Sequence, residues 1–129
     1  MPIERGWDPN QTYSLLLDTF AGVNELLAYY FPDTLIIPAF GNNDSKYHDN
    51  PIPDTDKDFY YDYVYNLWFK LLPGNVKHLT NLQKERIEDT FKEGGYYRLD
   101  LTDKITVLAL NTLYYDSDRQ LEYASGSGV

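Results

Sequence analysis

The feature that most constrains this sequence is an unbroken apolar run, Leu-Ile-Ile-Pro-Ala-Phe at residues 35–40, followed at once by a glycine. Apolar residues that do not alternate with polar ones are typical of a strand covered on both faces. The run begins only a few residues after a predicted helix, and a helix leading straight into a buried strand is characteristic of α/β folds. We therefore predict an α/β fold in which this strand delivers the loop that begins at Gly41.

The helix before the strand is predicted with defined ends. Asp8 is a good N-cap, Pro9 occupies the favoured first helical position, and Gln11 is placed for a capping box. Pro32 ends the helix. Apolar side chains recur every three or four residues and predict one buried face, made of Tyr13, Leu16, Phe20, Val23, Leu27 and Tyr30.

Two helices, a hairpin and a tail are predicted further along. Residues 60–72 have helical spacing through Tyr60, Tyr63, Val64, Leu67, Trp68, Leu71 and Leu72. Pro73-Gly74 ends that helix, and Thr80 begins another, with Gln83 positioned for a capping box, an apolar stripe of Leu82, Ile87 and Phe91, and a stop at Gly94-Gly95. Residues 96–101 and 105–110 predict a β-hairpin. Residues 119–129 have the composition of a flexible tail. The length of 129 residues fits one compact domain at most, and residues 1–129 are expected to be a single fragment of it.

The charge and the residues that are missing narrow the classes of function. A net charge of −9 argues against nucleic-acid binding and against an anionic membrane surface. No cysteine is present, so a disulfide framework and a thiolate metal site are excluded. No apolar stretch approaches about 20 residues, so no membrane span is expected, and no signal peptide is predicted at the amino terminus. A phosphate substrate remains compatible, because bound divalent cations can dominate the local charge.

The loop after the strand is the part of the sequence with the residues for chemistry. Gly41 allows a sharp turn, and the amide oxygen of Asn42 is a hard neutral ligand suited to a divalent cation. Asp44 is placed to orient a neighbouring group or to supply negative charge, and His48 can donate a proton near neutral pH. The alternative interpretation is that Gly-Asn-Asn-Asp is ordinary turn chemistry and that His48 is a surface residue.

Residues 37–44, Ile-Pro-Ala-Phe-Gly-Asn-Asn-Asp, resemble the strand and loop of the calcineurin-like metallophosphoesterases, whose signature there is Gly-Asn-His-Asp or Gly-Asn-His-Glu. Within that superfamily the sequence is most similar to the acid sphingomyelinase-like phosphodiesterases and the endopolyphosphatases. The endopolyphosphatases share the Gly-Asn-Asn-Asp form, with a histidine four residues further on, as His48 is here. Residues 65–68, 90–97 and 107–112 also agree with this branch.

The resemblance implies a partial α/β/β/α sandwich: helix, buried strand, metal loop, helices and β-hairpin. It makes Asn42 a ligand of one of two divalent ions (Zn, Mn, Fe or Mg). Asn43 stands where the family has a histidine that contacts the substrate phosphate, and its amide can donate a hydrogen bond but cannot act as a general acid. Asp44 would normally orient that histidine, and the proton would then have to come from His48, from a metal-bound water or from the substrate itself.

The superfamily's other signatures, an Asp-x-His loop, a Gly-Asp loop and late histidine loops, do not occur in these residues. We therefore expect an internal piece of a phosphoesterase that is inactive without the remaining parts of its domain. The resemblance implies a polyphosphate or phosphodiester substrate and a secreted or lysosomal/vacuolar protein, and Asn10-Gln11-Thr12 fits the N-glycosylation pattern. The alternative is a non-catalytic phosphoesterase-like binding or scaffold module, which Asn43 in place of histidine favours.

Four other groups of residues have competing interpretations. The acidic run at residues 54–58 lacks the glycine and late glutamate of a Ca²⁺ loop, so we predict a solvated turn or N-cap cluster. His78 is predicted to be structural or solvent-facing, and Asn111 either structural or directed at the site. The aromatic side chains of residues 60–69 line either a substrate groove or the core, with half of them expected in the core: Tyr60, Tyr61, Tyr63, Tyr65, Trp68 and Phe69.

Overall fold

The computed structural model describes residues 9–41, 44 and 52–115, with the backbone alone for residues 9–12. Helix α1 spans Pro9–Tyr30, and α2 spans Asp54–Tyr65 and continues directly into a π-helical segment, Asn66–Leu71. The remaining elements are the short helix α3 (Pro73–His78), helix α4 (Asn81–Gly94), strands β1 (Tyr97–Asp100) and β2 (Thr106–Ala109), and a 3₁₀ turn (Thr112–Tyr115).

Helix α1 begins at Pro9 as predicted, but its buried face differs from the prediction. Val23 is 49% exposed and Tyr30 is 67% exposed, so these two assignments are wrong. Asn24 is buried instead, and its side-chain amide donates to the Leu67 carbonyl across 2.9 Å. A polar side chain can take the inward position here because its amide pairs with a backbone carbonyl at the start of the π-helical segment.

The prediction for helix α4 is confirmed at both ends. Thr80 Oγ1 accepts from the Gln83 N–H, and the Gln83 side chain accepts from the Thr80 N–H, which completes the capping box. Gly95 ends the helix with a φ of 69°, a left-handed conformation that favours glycine. Ile87 and Phe91 are fully buried, whereas Leu82 is exposed and does not belong to the predicted stripe.

The long middle helix ends as predicted, but Pro73 also begins the short helix α3. Leu71 is 62% exposed, in contrast to its predicted place in the buried face. A π-helical turn holds more residues than an α-helical turn, so α-helical spacing no longer places Leu71 inward after Asn66. The acidic run was predicted as a solvated turn or an N-cap cluster. It lies instead within the first turns of α2, after Pro53 as the N-cap, where the carboxylates of Asp54 and Asp56 complement the helix dipole.

The core is built from aromatic rings, with Phe91 at its centre. Phe91 is fully buried, and its ring lies 5.6–6.0 Å, centroid to centroid, from six other rings. These rings belong to Phe40, Tyr61, Tyr65, Trp68, Phe69 and Tyr97. The core therefore joins α2, the π-helical segment, α4 and β1 to the end of the apolar run at Phe40.

The predicted hairpin is confirmed: β1 and β2 pair antiparallel, with Tyr97 opposite Ala109 and Asp100 opposite Thr106. Tyr97 and Leu99 face the core, whereas Leu108 on β2 is 63% exposed. This hairpin is the sheet found in the described part of the chain. The apolar run at residues 35–40 has no regular secondary structure and pairs with no strand among the described residues, so the strand and the α/β/β/α sandwich stay predictions.

None of the helices in the described ranges is long and apolar enough to cross a membrane.

Candidate functional site

The predicted site loop leaves the core at Phe40, the last residue of the apolar run. Phe40 is buried, and its ring lies 5.0 Å from the Trp68 ring, 5.6 Å from that of Phe91 and 5.7 Å from that of Tyr60. A ring packed on three sides in this way cannot shift without opening a cavity in the core. The starting point of the loop is therefore fixed.

The loop is closed on itself by two hydrogen bonds between its first and last residues. The Gly41 N–H donates to Asp44 Oδ2 across 2.7 Å, and the Asp44 N–H donates to the Gly41 carbonyl across 3.1 Å. A carboxylate that accepts from a nearby backbone N–H is a common device for stabilising a turn. A Cβ at Gly41 would lie 3.2 Å from Asp44 Oδ2, which leaves little room for any other residue.

A buried tyrosine connects this turn to the core. The hydroxyl of Tyr60, from α2, donates to the backbone carbonyl of Asp44. Burial raises the pKa of Tyr60 far above its ordinary value, and the negative charge of Asp44 raises it further, followed by Tyr13. The hydroxyl therefore stays protonated and remains a donor throughout the pH range in which the protein works.

An asparagine side chain holds the apolar run before the loop, because it bonds both the N–H and the carbonyl of one of its residues, as a neighbouring strand would. The Asn75 side chain accepts from the Ile36 N–H (2.8 Å) and donates to the carbonyls of Ile36 (2.9 Å) and Trp68 (2.7 Å). The backbone approaches closely here, since a Cβ at Gly74 would lie 1.9 Å from the Thr34 carbonyl oxygen. Glycine followed by asparagine in α3 thus clamps the run and aligns it toward the loop.

Of the four predicted site residues, Asp44 lies within the described part of the chain and Asn42, Asn43 and His48 lie outside it. Asp44 is half-buried and uses Oδ2 to close the turn. Its predicted role as an orienting group beside a substrate stays a prediction.

For Asn111 and for the aromatic set the structural alternative is confirmed. Asn111 does not face a site: it is buried, donates to the Gly94 carbonyl (3.0 Å) and the Tyr61 hydroxyl (3.4 Å), and accepts from the Leu113 N–H (3.3 Å). The aromatic side chains of residues 60–69 do not line a groove, because all but Tyr63 are buried in the core and Tyr63 is half-buried. The structural interpretation of His78 is confirmed, since its exposed ring Nε2 lies 2.6 Å from the Asp33 carbonyl oxygen.

The side chains that the structure describes do not by themselves make a metal centre. Among residues 9–41, 44 and 52–115, no group of three or more histidines, cysteines or acidic residues is placed to hold an ion. Asp44 is itself part of the loop's closure, and its Oδ2 already accepts a hydrogen bond from the Gly41 N–H. Any metal at this loop would need ligands from beyond the described residues.

Two of the residues that position the loop were not predicted as such from the sequence. Tyr60 was assigned to a helical face or a groove, and Asn75 was not singled out. A weak signal exists for Asn75, because it is a polar residue directly after Pro-Gly at the end of an apolar helix. No local signal identifies the Tyr60 hydroxyl, because its acceptor lies 16 residues away in the chain.

The chain is similar to two curated proteins. It is 32% identical over 108 residues to "Sphingomyelinase phosphodiesterase C" of Dictyostelium discoideum, covering 83% of this chain and 21% of the relative. It is 32% identical over 85 residues to an "Endopolyphosphatase" of Schizosaccharomyces pombe, covering 65% of this chain and 12% of that protein. The chain thus spans about a fifth or less of the length of these relatives, whose names support a phosphoesterase-like origin. No family model and no solved structure matches.

Proposed function

We propose that this chain is part of a phosphoesterase that hydrolyses phosphodiester or phosphoanhydride bonds, and that residues 41–44 form part of its reaction centre. The observation that carries the proposal is the similarity over 83% of the chain to a protein named as a phosphodiesterase. The second relative is named as an endopolyphosphatase, and hydrolysis of a phosphoanhydride, like that of a phosphodiester, breaks a phosphorus–oxygen bond.

The geometry of the loop supports this role. Phe40 fixes its beginning, and the two Gly41–Asp44 hydrogen bonds fix its closure. Asn42 and Asn43 stand in the sequence between these two anchored residues. Catalytic groups are typically held on loops that a rigid scaffold positions, because a small misplacement of a reacting group costs much of the rate.

The roles of the individual residues follow from their chemistry. Asn43 donates a hydrogen bond to a phosphate oxygen, and His48 delivers a proton to the leaving group. Asn42 is this chain's ligand to a divalent cation, and the other ligands come from outside the described residues. When bound, such cations supply positive charge to the phosphate oxygens.

The rest of the protein would also complete the fold. The exposed side chains of Ile105, Leu108 and Leu110 place apolar surface on the β2 arm of the hairpin. We propose that this surface and residues 35–40 contact the remaining parts of the domain, with both buried in the complete protein. A secreted or lysosomal/vacuolar location and glycosylation of Asn10 belong to the same proposal.

A second candidate function is a non-catalytic, phosphoesterase-like binding module. It is favoured by Asn43, because an amide has no proton to give at the position where the family has a histidine. Such a module would bind a phosphate ester without releasing phosphate from it.

Hydrolysis assays on the full-length protein separate the two functions. With Mn²⁺, Zn²⁺ or Mg²⁺ present, we expect phosphate release from polyphosphate or product release from a chromogenic phosphodiester. The isolated 129-residue chain is expected to be inactive on both and serves as the negative control. Full-length protein that hydrolyses neither substrate with any of the three ions would contradict the enzymatic proposal and favour the binding module.

A further inference from the structure

We propose that Tyr60 is a positioning residue for the reaction centre: its hydroxyl, bonded to the Asp44 carbonyl, holds the Gly41–Asp44 turn at a fixed place on the core. This inference rests on the proposed function, since it assigns to Tyr60 a part in the rate of that reaction. It goes beyond that function because Tyr60 has no place in the loop motif and lies on a separate helix, α2.

The ring of Tyr60 is a rigid support. The residue is 1% exposed, and its ring lies 5.6 Å from the Tyr61 ring, 5.7 Å from that of Phe40 and 5.8 Å from that of Tyr13. Contacts on several sides leave the ring no alternative rotamer without overpacking the core. The position of the hydroxyl is therefore determined by the core and not by the loop.

Asp44 connects the fixed Tyr60 hydroxyl to Gly41 at the start of the turn. Asp44 receives the Tyr60 hydroxyl on its backbone carbonyl and binds Gly41 through its N–H and its carboxylate. Both ends of the turn are thus tied, one to the Phe40 ring through the chain and the other to the Tyr60 hydroxyl. Loss of that hydroxyl would free the carboxyl end of the turn while the beginning stays packed.

Tyr60 acts by position and not by proton transfer. Burial of its hydroxyl disfavours the phenolate most, and charge interactions with Asp44 and Tyr13 disfavour it further. Removal of the hydroxyl should therefore lower kcat without moving the pH profile of the reaction. If Tyr60 were a general acid or base, its removal would instead abolish one limb of the pH–rate profile.

Tyr65 offers a matched control. It is buried like Tyr60, and its ring packs 5.3 Å from the Phe69 ring and 5.9 Å from the Phe91 ring. Its hydroxyl likewise donates to a backbone carbonyl, that of Lys84 on α4, 3.1 Å away. Tyr60→Phe and Tyr65→Phe thus each delete one tyrosine hydroxyl bonded to a carbonyl, but only the first touches the loop.

The experiment compares these two variants in the full-length protein. We expect Tyr60→Phe to lower kcat roughly 10- to 100-fold with little change in KM, because a misplaced reacting group costs rate more than affinity. Tyr65→Phe should keep the kcat of the wild type. The two variants should have similar midpoints of urea unfolding, which separates a loss of position from a loss of stability.

Hydrogen exchange of the Gly41 and Asp44 amides provides a readout that does not depend on activity. Both amides should exchange faster in Tyr60→Phe and at the wild-type rate in Tyr65→Phe. An active wild type whose two variants match in kcat or in amide exchange would overturn the inference and leave the proposed function intact. A wild type that hydrolyses neither substrate would overturn the proposed function, and the role of Tyr60 in catalysis with it.

Discussion

Replacing Phe91 by alanine is expected to lower the free energy of unfolding by about 3–5 kcal/mol. The residue is fully buried, and its ring contacts six other aromatic rings drawn from four other parts of the chain. The loss combines the transfer free energy of the ring with the cavity it leaves, which rigid aromatic neighbours cannot close. Urea unfolding followed by circular dichroism measures the change directly.

Leu82→Ala on the same helix is the control for this prediction. Leu82 is exposed, so its truncation should change the free energy of unfolding by about 0.5 kcal/mol or less. Equal losses for the Phe91 and Leu82 variants would show that the aromatic rings do not form the common core described above.

Raising the pH through the range from 10 to 12 is expected to unfold the protein cooperatively. Burial raises the pKa of Tyr60, Tyr61 and Tyr97 well above the ordinary tyrosine value of about 10. Folded chains therefore keep these three protons at a pH where unfolded chains have lost them, and the unfolded state is favoured as the pH rises. Each such tyrosine contributes about 1.4 kcal/mol per pH unit, so the three together remove roughly 4 kcal/mol per unit.

The contribution of these tyrosines is complete below pH 10 and is lost above it. Burial also raises the pKa of Tyr13 and Tyr65 to about 12, which acts in the same direction. The measurement is circular dichroism against pH, with tyrosinate absorbance recorded in parallel. Tyr61→Phe should reduce the steepness of the pH dependence by about one proton.

Tyr29→Phe is the matched control, because Tyr29 is 77% exposed and its substitution removes no buried hydroxyl. A titration in which every tyrosine ionises near its ordinary pKa while the circular dichroism stays native would contradict the buried placement of these hydroxyls.

Local sequence signals predicted the elements whose ends are fixed by neighbouring residues. The capping box at Thr80 and the left-handed Gly95 bound helix α4 as expected, and the hairpin has the predicted turn. These features depend on side chains within three or four residues of each other, so a linear sequence contains all the information that determines them.

The contacts that position the loop could not be predicted in the same way. Asn24, Tyr60 and Asn75 each bond to a backbone group that lies between 16 and 43 residues away. Periodicity assigned Ile87 and Phe91 correctly to the core, but it failed at Val23 and Tyr30 on α1, and it failed at Leu71 because the π-helical turn changes the spacing. Long-range satisfaction of buried backbone groups is a property of the folded chain and leaves no local pattern.

The candidate site was predicted in part by residue type and in part by resemblance. Residue types alone could not decide whether Gly-Asn-Asn-Asp is an ordinary turn or a metal-binding loop. The structure shows that Gly41 and Asp44 close a turn. A closed turn and a site loop are compatible, since the closure involves Gly41 and Asp44 alone.

The most direct test of the central claim is the Asn42→Ala variant of the full-length protein, compared with Asn81→Ala, which removes an exposed amide from the start of α4. If residues 41–44 belong to a phosphoesterase centre, Asn42→Ala should lower phosphate release at least about 100-fold and reduce the divalent metal bound per protein, because a ligand is lost. Asn81→Ala should retain both. An Asn42→Ala protein with wild-type activity and wild-type metal content would show that the loop is an inert turn.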